Sequence, residues 1–213
     1  MYLAGLIDDV LESKKDKLVG RSTYFYIVDV LNRAFKKAEP FKFKFETFYD
    51  YSKEDYSVSG IYDQETDKKY VILNFASTCK TFTLTPEKWK EFKFAVSQVC
   101  QHESIHQCQW SMVADPSLKV TTGKLDFRME QEDDEKEYLA DPDEIDAYGH
   151  DIAMEIKFFY PKKDPYKVLQ NINRHKKLWS YNYYKKTFQG DDWEHIKRHL
   201  YKKTYKWIPY VHL

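Results

Sequence analysis

The spacing of apolar residues changes period within the first half of the chain. Apolar side chains recur every three or four residues over 3–11 and again over 24–35, which predicts two helices. Phenylalanines then alternate with lysines over 41–45, which predicts a half-buried strand. Residues 56–62 and 69–75 flank a polar turn and predict a β-hairpin. The chain thus begins with helices and continues with strands.

A long helix is predicted to begin after Thr85, where a hydroxyl side chain, Pro86 and Glu87 combine three features of a helix start. Its pattern extends to about Trp110. Its apolar face leads into two histidines and predicts one buried stripe, which contains Phe92, Ala95, Val99, His102 and His106.

The sign of the charge reverses in the second half of the chain. Residues 130–155 contain 12 acidic side chains against one lysine, and Asp141-Pro142 marks the start of a second helix. Residues 157–207 contain 14 basic side chains against four acidic ones, interleaved with aromatic residues, and a last helix is predicted over 192–207. Because the aromatic residues fall at helical spacing, we favour an amphipathic helical region whose lysines face water. Nucleic-acid binding is the alternative.

Composition restricts the class of protein. Basic and acidic side chains are equal in number at 34 each, which argues against a surface that is basic throughout. The cysteines, Cys79, Cys100 and Cys108, are too few for a disulfide framework and indicate a reducing compartment. The first residues lack a basic leader, and no apolar run approaches the roughly 20 residues that span a bilayer. We therefore expect a soluble, cytoplasmic protein without a membrane partner.

The residues with the clearest chemistry are His102-Glu103-Ser104-Ile105-His106, an HExxH motif on the long helix. Histidines four residues apart lie on one face of a helix, where both imidazoles can reach one Zn²⁺ ion. Glu103 lies between them and could accept a proton from a zinc-activated water. Cys100 and Cys108 are each turned about 200° from a histidine, and we expect both to be small buried hydrophobic residues.

A catalytic zinc usually has three protein ligands, so a third must come from elsewhere. Glu144 is the best candidate, because it lies on the second acidic helix and forms an ExxA pair with Ala147. Asp143 and Asp146 are alternative ligands. Glu144 could instead reach back to the amide of Asp141 in a capping box.

The combination of a hairpin, the HESIH helix and a following EIDAYG helix resembles the zincin superfamily of zinc metallopeptidases. Over about residues 55–156 the likeness is to compact ImmA/IrrE-type peptidases and to HExxH proteins encoded by tailed phages. The resemblance implies that His102, His106 and Glu144 bind zinc and that Glu103 is the general base. It also implies a peptide or protein substrate, in the host cytoplasm if the chain is phage-encoded. Ile105 replaces the glycine of several zincins, and the third histidine of the metzincins is missing.

Residues near the motif and in the basic region have less certain roles. Tyr148 could donate a hydrogen bond to the oxyanion of the reaction, and a core position is the alternative. Asp151 lies on the face of Glu144 and could orient a ligand imidazole, whereas we expect His150 at the surface. A second histidine pair four residues apart has no acid between its members, and we expect it on a solvated helix face: His195 and His199.

These patterns predict an α+β, zincin-like fold with a short, mostly antiparallel sheet over the HExxH helix and an added helical C-terminal region. The metallopeptidase domain would span 1–156, with helices to residue 40, strands over 41–84 and active-site helices over 85–156. The basic region, 157–213, would pack on it. The predicted function is zinc-dependent peptide hydrolysis. The alternatives are a non-catalytic phage structural or interaction protein with the same fold, and a nucleic-acid-associated protein that acts through the basic C-terminal region. The oligomeric state stays open.

Overall fold

The computed structural model describes residues 2–36, 40–48, 56–76, 81–114 and 134–211. The chain forms two compact units, Met1–Gln107 and Cys108–Leu213. None of the helices in the described part is both long enough and apolar enough to cross a membrane. Cys79 and the first residues of the acidic segment lie outside the described ranges.

The first unit contains helices and strands in the order α1 (Tyr2–Glu12), α2 (Lys15–Leu18), β1 (Gly20–Thr23), α3 (Tyr24–Phe35), β2 (Phe41–Phe48), β3 (Tyr56–Asp63), β4 (Lys68–Ala76), β5 (Thr81–Leu84) and most of α4 (Pro86–Ala114). The predicted helices, the strand and the hairpin are confirmed. The short elements α2, β1 and β5 are additional, because four residues are too few to show a hydrophobic period.

The strands form a small, mostly antiparallel arrangement, which confirms the α+β class. β4 is the central strand of a three-stranded sheet and pairs antiparallel with β3 and parallel with β2. β1 and β5 form a separate antiparallel pair. Asn32 of α3 closes the outer edge of β2, because its amide both donates to the carbonyl and accepts from the N–H of Phe43, each at 2.9 Å.

The core of the first unit lies where alternate residues of the sheet meet the helices. Leu31 and Phe35 of α3, Val71 and Phe75 of β4, and Phe92 of α4 have no exposed surface. Burial of each such side chain contributes about 1.5–3 kcal/mol. The N-terminal half of α4 is therefore held firmly against the sheet.

The second unit is helical in its described part and continues from the end of α4 through α5 (Asp134–Ala140), α6 (Pro142–Phe159), α7 (Pro165–Gln170), a 3₁₀ turn (Ile172–Arg174), α8 (Trp179–Thr187) and α9 (Gly190–Trp207). α6 is its most buried helix. Gly149 permits the close approach of α9, because a Cβ atom there would lie 2.7 Å from Cβ of Lys203. Buried Glu155 accepts hydrogen bonds from the N–H of Ser180 at 3.1 Å and from its hydroxyl at 2.7 Å, which joins α6 to the start of α8.

Candidate metal centre

The HExxH motif lies well inside α4, which begins as predicted. The Thr85 hydroxyl accepts a hydrogen bond from the N–H of Lys88 at 3.3 Å, and Pro86 is the first helical residue. The helix extends to Ala114, one turn beyond its predicted end. Regular helical geometry on both sides of the motif therefore fixes the two histidines on one face.

The buried stripe of α4 differs from the predicted one. In the first unit it consists of Trp89, Phe92, Val96 and Cys100, and it continues into Glu103. The predicted stripe is confirmed in part: Phe92 and His102 are buried and Val99 packs against the core, whereas Ala95 and His106 are only partly buried. The histidines lie on the neighbouring face, where His102 is only 8% exposed and His106 is half-buried.

The two cysteines of α4 have different surroundings. Cys100 is fully buried in the core of the first unit, as predicted. Cys108 is exposed, so the prediction that it is buried was wrong. The helix has left the core of the first unit by this point, and its next turn also exposes Trp110 and Met112.

The two imidazoles of the motif point to a common position. Their Nε2 atoms are 3.1 Å apart, and their ring centroids 4.8 Å. Two nitrogen ligands of a tetrahedral zinc, with bonds of about 2.0 Å, are separated by about 3.3 Å. The spacing of the histidine nitrogens therefore fits a shared metal ion without a change of rotamer.

Glu144 completes a group of three side chains that could hold a metal ion. Ligand atoms of His102, His106 and Glu144 all lie within 4.8 Å of one another. Two imidazoles and one carboxylate are a common donor set of catalytic zinc, so the chemistry of the ligands fits as well.

The position of Glu144 does not come from a capping box. Asp141 caps α6, because its carboxylate accepts a hydrogen bond from the N–H of Asp143 at 2.8 Å. In a capping box Glu144 would accept from the N–H of Asp141, but that N–H donates to the carbonyl of Tyr138 at 3.1 Å.

Neither of the two aspartates that were alternative ligands belongs to the group of potential metal ligands within the described residues. The Asp146 carboxylate accepts hydrogen bonds from Nε1 of Trp207 at 3.1 Å and from Nζ of Lys203 at 3.0 Å. The backbone carbonyl of Asp143 accepts a hydrogen bond from the side chain of Gln109 at 3.1 Å. Gln109 of α4 thus contacts the first turn of α6.

The surroundings of Glu144 in the second unit are acidic and suit a cation. Burial raises the pKa of Tyr184 well above its ordinary value, and nearby Tyr148, Glu144 and Asp151 add to the rise. The Tyr184 hydroxyl accordingly stays protonated and donates to the carbonyl of Leu139 at 3.0 Å. Two buried carboxyl groups in one region favour occupation by a positive ion.

Glu103 is buried against Gly60 of β3, and only glycine leaves room for it there. A Cβ atom at Gly60 would lie 2.6 Å from Cγ1 of Val99 and 2.7 Å from Cγ of Glu103, and closer still to the Glu103 carboxylate. The hairpin therefore provides the space for the motif's glutamate. A glycine inside a strand pattern is a signal of close backbone approach, so the sequence could have indicated this contact.

Two further residues of the hairpin hold the motif in place. Lys69 is 1% exposed, and its Nζ lies 3.4 Å from the hydroxyl of Ser104 and 4.5 Å from the centroid of Phe41. Asp67 accepts a hydrogen bond from the side chain of Gln107 at 2.8 Å. Lys69 was not among the residues predicted from the sequence, although a lysine at an inward position of β4 is unusual enough to be a signal.

The remaining candidates lie on α6. The half-buried ring of Tyr148 packs against Tyr184 with centroids 5.0 Å apart, a contact consistent with a core position. Asp151 is buried, and one of its carboxylate oxygens lies 3.7 Å from Nδ1 of His150. His150 is 5% exposed and packs against Trp207, so the prediction of a surface position was wrong. The close approach of α9 at Gly149 buries this side of α6.

Comparison of the chain with protein-family models, with curated proteins and with solved structures finds no match.

Proposed function

We propose that the chain is a zinc-dependent hydrolase of the zincin type, and that it cleaves peptide bonds. The observation that carries the proposal is the convergence of His102, His106 and Glu144 within 4.8 Å, with Glu103 between the two histidines in the motif. A purely structural zinc site is usually closed by four protein ligands and needs no base. Three ligands together with an adjacent carboxylate fit a catalytic centre instead.

The residues of the chain would divide the reaction between them. A zinc ion held by the three ligands would lower the pKa of a water molecule and polarise the substrate carbonyl. Glu103 would accept a proton from the attacking water while the oxygen of that water forms a bond to the carbonyl carbon. Glu103 would then deliver that proton to the nitrogen as the carbon–nitrogen bond breaks. Burial of Glu103 beside Gly60 limits the rotation of its side chain.

Metal content is the first test of the proposal. The protein is stripped with a chelator, reloaded with zinc, desalted and measured by elemental analysis. We expect about one zinc per chain for the wild type and loss of zinc in His102→Ala and Glu144→Ala. His195→Ala is the matched control, since it removes one member of another histidine pair on a helix, and it should retain zinc.

Peptide cleavage is the second test. The zinc-loaded protein is incubated with a mixture of peptides of diverse sequence, and the products are identified by mass spectrometry. Cleavage that requires zinc supports the proposal. Full zinc binding without cleavage of any peptide would contradict the peptidase assignment and favour a non-catalytic protein with the same fold. Absence of zinc from the folded wild type would contradict both.

A further inference from the structure

A second surface of interest lies entirely in the second unit, on residues 158–179, and we call it the 158–179 patch. It contains the end of α6, the loop to α7, the 3₁₀ turn and the start of α8. Aromatic rings follow one another across it: Phe159 contacts Trp179 at 5.0 Å between centroids, and Tyr160 contacts His175 at 4.4 Å. Lys177 lies 5.7 Å from the Phe159 ring, and Lys163 5.1 Å from the Tyr160 ring. The patch therefore combines rings with adjacent cations.

Positive charge in the patch is not balanced locally. Residues 158–179 contain six lysines and arginines but one acid, Asp164, whose carboxylate accepts hydrogen bonds from the N–H groups of Tyr166 and Lys167 at the start of α7. Within the described part of the chain, all six of these cations are exposed and no ion pair involves any of them: Lys162, Lys163, Lys167, Arg174, Lys176 and Lys177.

This positive potential affects a neighbouring histidine. Burial lowers the pKa of His175, and the cations Lys163 and Arg174 lower it further. Cations that repel one another and have no acidic partner cost free energy in the isolated protein. An anionic ligand would remove that cost.

The exposed apolar surface of the patch is aromatic rather than aliphatic. Trp179 is 50% exposed, and Phe159 and Tyr160 are half-buried. The aliphatic side chains of the same segment are all at most 4% exposed: Val168, Leu169, Ile172 and Leu178. Exposed rings can stack on bases, and the lysines and arginines beside them can contact phosphates. The combination suits a polyanion that carries stackable rings.

We propose that the 158–179 patch binds single-stranded nucleic acid, independently of the metal centre. Lysine and arginine side chains would contact the phosphates, and Trp179 and Tyr160 would stack on unpaired bases. Single strands fit better than a duplex because the bases of a duplex are already stacked on one another. Some aromatic residues of the basic region belong to the core, namely Tyr181, Tyr184 and Phe188, whereas the rings of the patch are at least partly exposed. An amphipathic helical region can therefore also bind nucleic acid.

Fluorescence anisotropy of labelled 20-nucleotide oligonucleotides, one of thymidine DNA and one of adenosine RNA, tests the proposal on the full chain. If three to five phosphates are contacted, affinity should fall about 20- to 100-fold between 50 and 200 mM salt. Trp179→Ala should weaken binding about tenfold through loss of one stacked base. Phe25→Ala removes an exposed ring from the first unit and should change nothing.

A pair of charge-reversal variants separates the patch from general electrostatics. Lys163→Glu, Lys176→Glu and Lys177→Glu together should abolish binding at 200 mM salt. A matched triple reversal at exposed lysines of the first unit changes the net charge equally and should retain most of the affinity: Lys17, Lys42 and Lys90. Circular dichroism checks that both variants are folded.

Four results would overturn the proposal. The first is that neither oligonucleotide binds at 50 mM salt, and the second is that the two triple variants lose the same amount of affinity. The third is that duplex DNA binds as tightly as single strands and that Trp179→Ala does not weaken this binding. The fourth is that the protein binds only to vesicles with 30% phosphatidylserine. The last result would assign the patch to an anionic membrane surface.

Discussion

The chain contains two histidine pairs with the same spacing on two long helices, His102/His106 on α4 and His195/His199 on α9. The ring centroids are 4.8 Å apart in the first pair and 4.9 Å in the second, so helical geometry brings both pairs together equally well. The residue that follows the first histidine differs: it is Glu103 in one pair and fully buried Ile196 in the other. The two pairs are thus alike in spacing and different in surroundings.

The surroundings decide which pair can hold a metal ion. Within the described residues, the group of potential ligands includes Glu144 with the first pair and does not include the second pair. Burial lowers the pKa of His199, and His195 and two lysines lower it further, so cations rather than carboxylates surround that histidine. The helical spacing brings two imidazoles together in both pairs. Only the first pair also has a third potential ligand, Glu144, within the described residues.

The largest expected difference between the pairs is catalytic. Glu103→Gln keeps the size and burial of the side chain but removes the base, so zinc-dependent peptide cleavage should fall about 10²- to 10⁴-fold. Zinc content should stay at the wild-type level. Steady-state kinetics on a peptide that the wild type cleaves, with elemental analysis of the same sample, measures both. Unchanged kinetics would remove the functional distinction between Glu103 and Ile196.

Zinc should stabilise the fold through the first pair only. A ligand at 100 times its dissociation constant stabilises the folded state by about 2.7 kcal/mol, which raises the midpoint of thermal unfolding. We expect this rise in the wild type and in His199→Ala, but not in His106→Ala. Differential scanning calorimetry with and without zinc makes the comparison. An equal loss in both variants would show that the second pair also binds the metal.

Gly60 of β3, next to Glu103, should affect both stability and cleavage, and the second histidine pair has no corresponding test. Gly60→Ala places a methyl group against Val99 and Glu103, and such overpacking costs about 1–3 kcal/mol. Because Glu103 must move, cleavage should fall by more than zinc affinity does. Urea unfolding and kinetics measure the two effects, with Gly5→Ala as control because a Cβ atom there meets nothing within 4 Å. If cleavage is unchanged, Gly60 does not position Glu103.

The smallest effect concerns Glu12 of α1, which contacts the start of α4, far from the histidines. Burial tends to raise the pKa of Glu12, but hydrogen bonds from Trp89, Lys93 and Lys15 outweigh it and lower the pKa. A lowered pKa means that the carboxylate stabilises the fold above its ordinary pKa of about 4.5, and that this stabilisation is lost as pH falls through the lower, folded-state value. Glu12 is partly exposed, so Glu12→Gln should cost no more than about 1 kcal/mol at pH 7.

Urea unfolding of the metal-free protein at pH 7 and at pH 3 tests this pH dependence. The difference between wild type and Glu12→Gln should shrink at the lower pH, while zinc affinity at pH 7 should be equal in both. A change in zinc affinity would mean that loss of stability alone disturbs the metal site. The comparison of the two histidine pairs would then lose its specificity.

Local features of the sequence determined most of the helices and strands, and they determined the two histidines of the candidate metal site. The caps Thr85-Pro86 and Asp141-Pro142 satisfy the first amides of their helices whatever surrounds them, so both helices begin where they were predicted. The same holds for the hairpin and for the shared face of His102 and His106, because turn chemistry and the helical repeat act over a few residues.

Only the tertiary structure decided which faces of those elements are used. The parallel pairing of β2 with β4, the burial of His150, the exposure of Cys108 and the contacts of Asp146 with Trp207 and Lys203 all depend on residues distant in sequence. On α4, packing in the first unit also buries Val96 and Cys100 beside the predicted stripe. The sequence thus identified the chemical groups, and packing determined which of them meet.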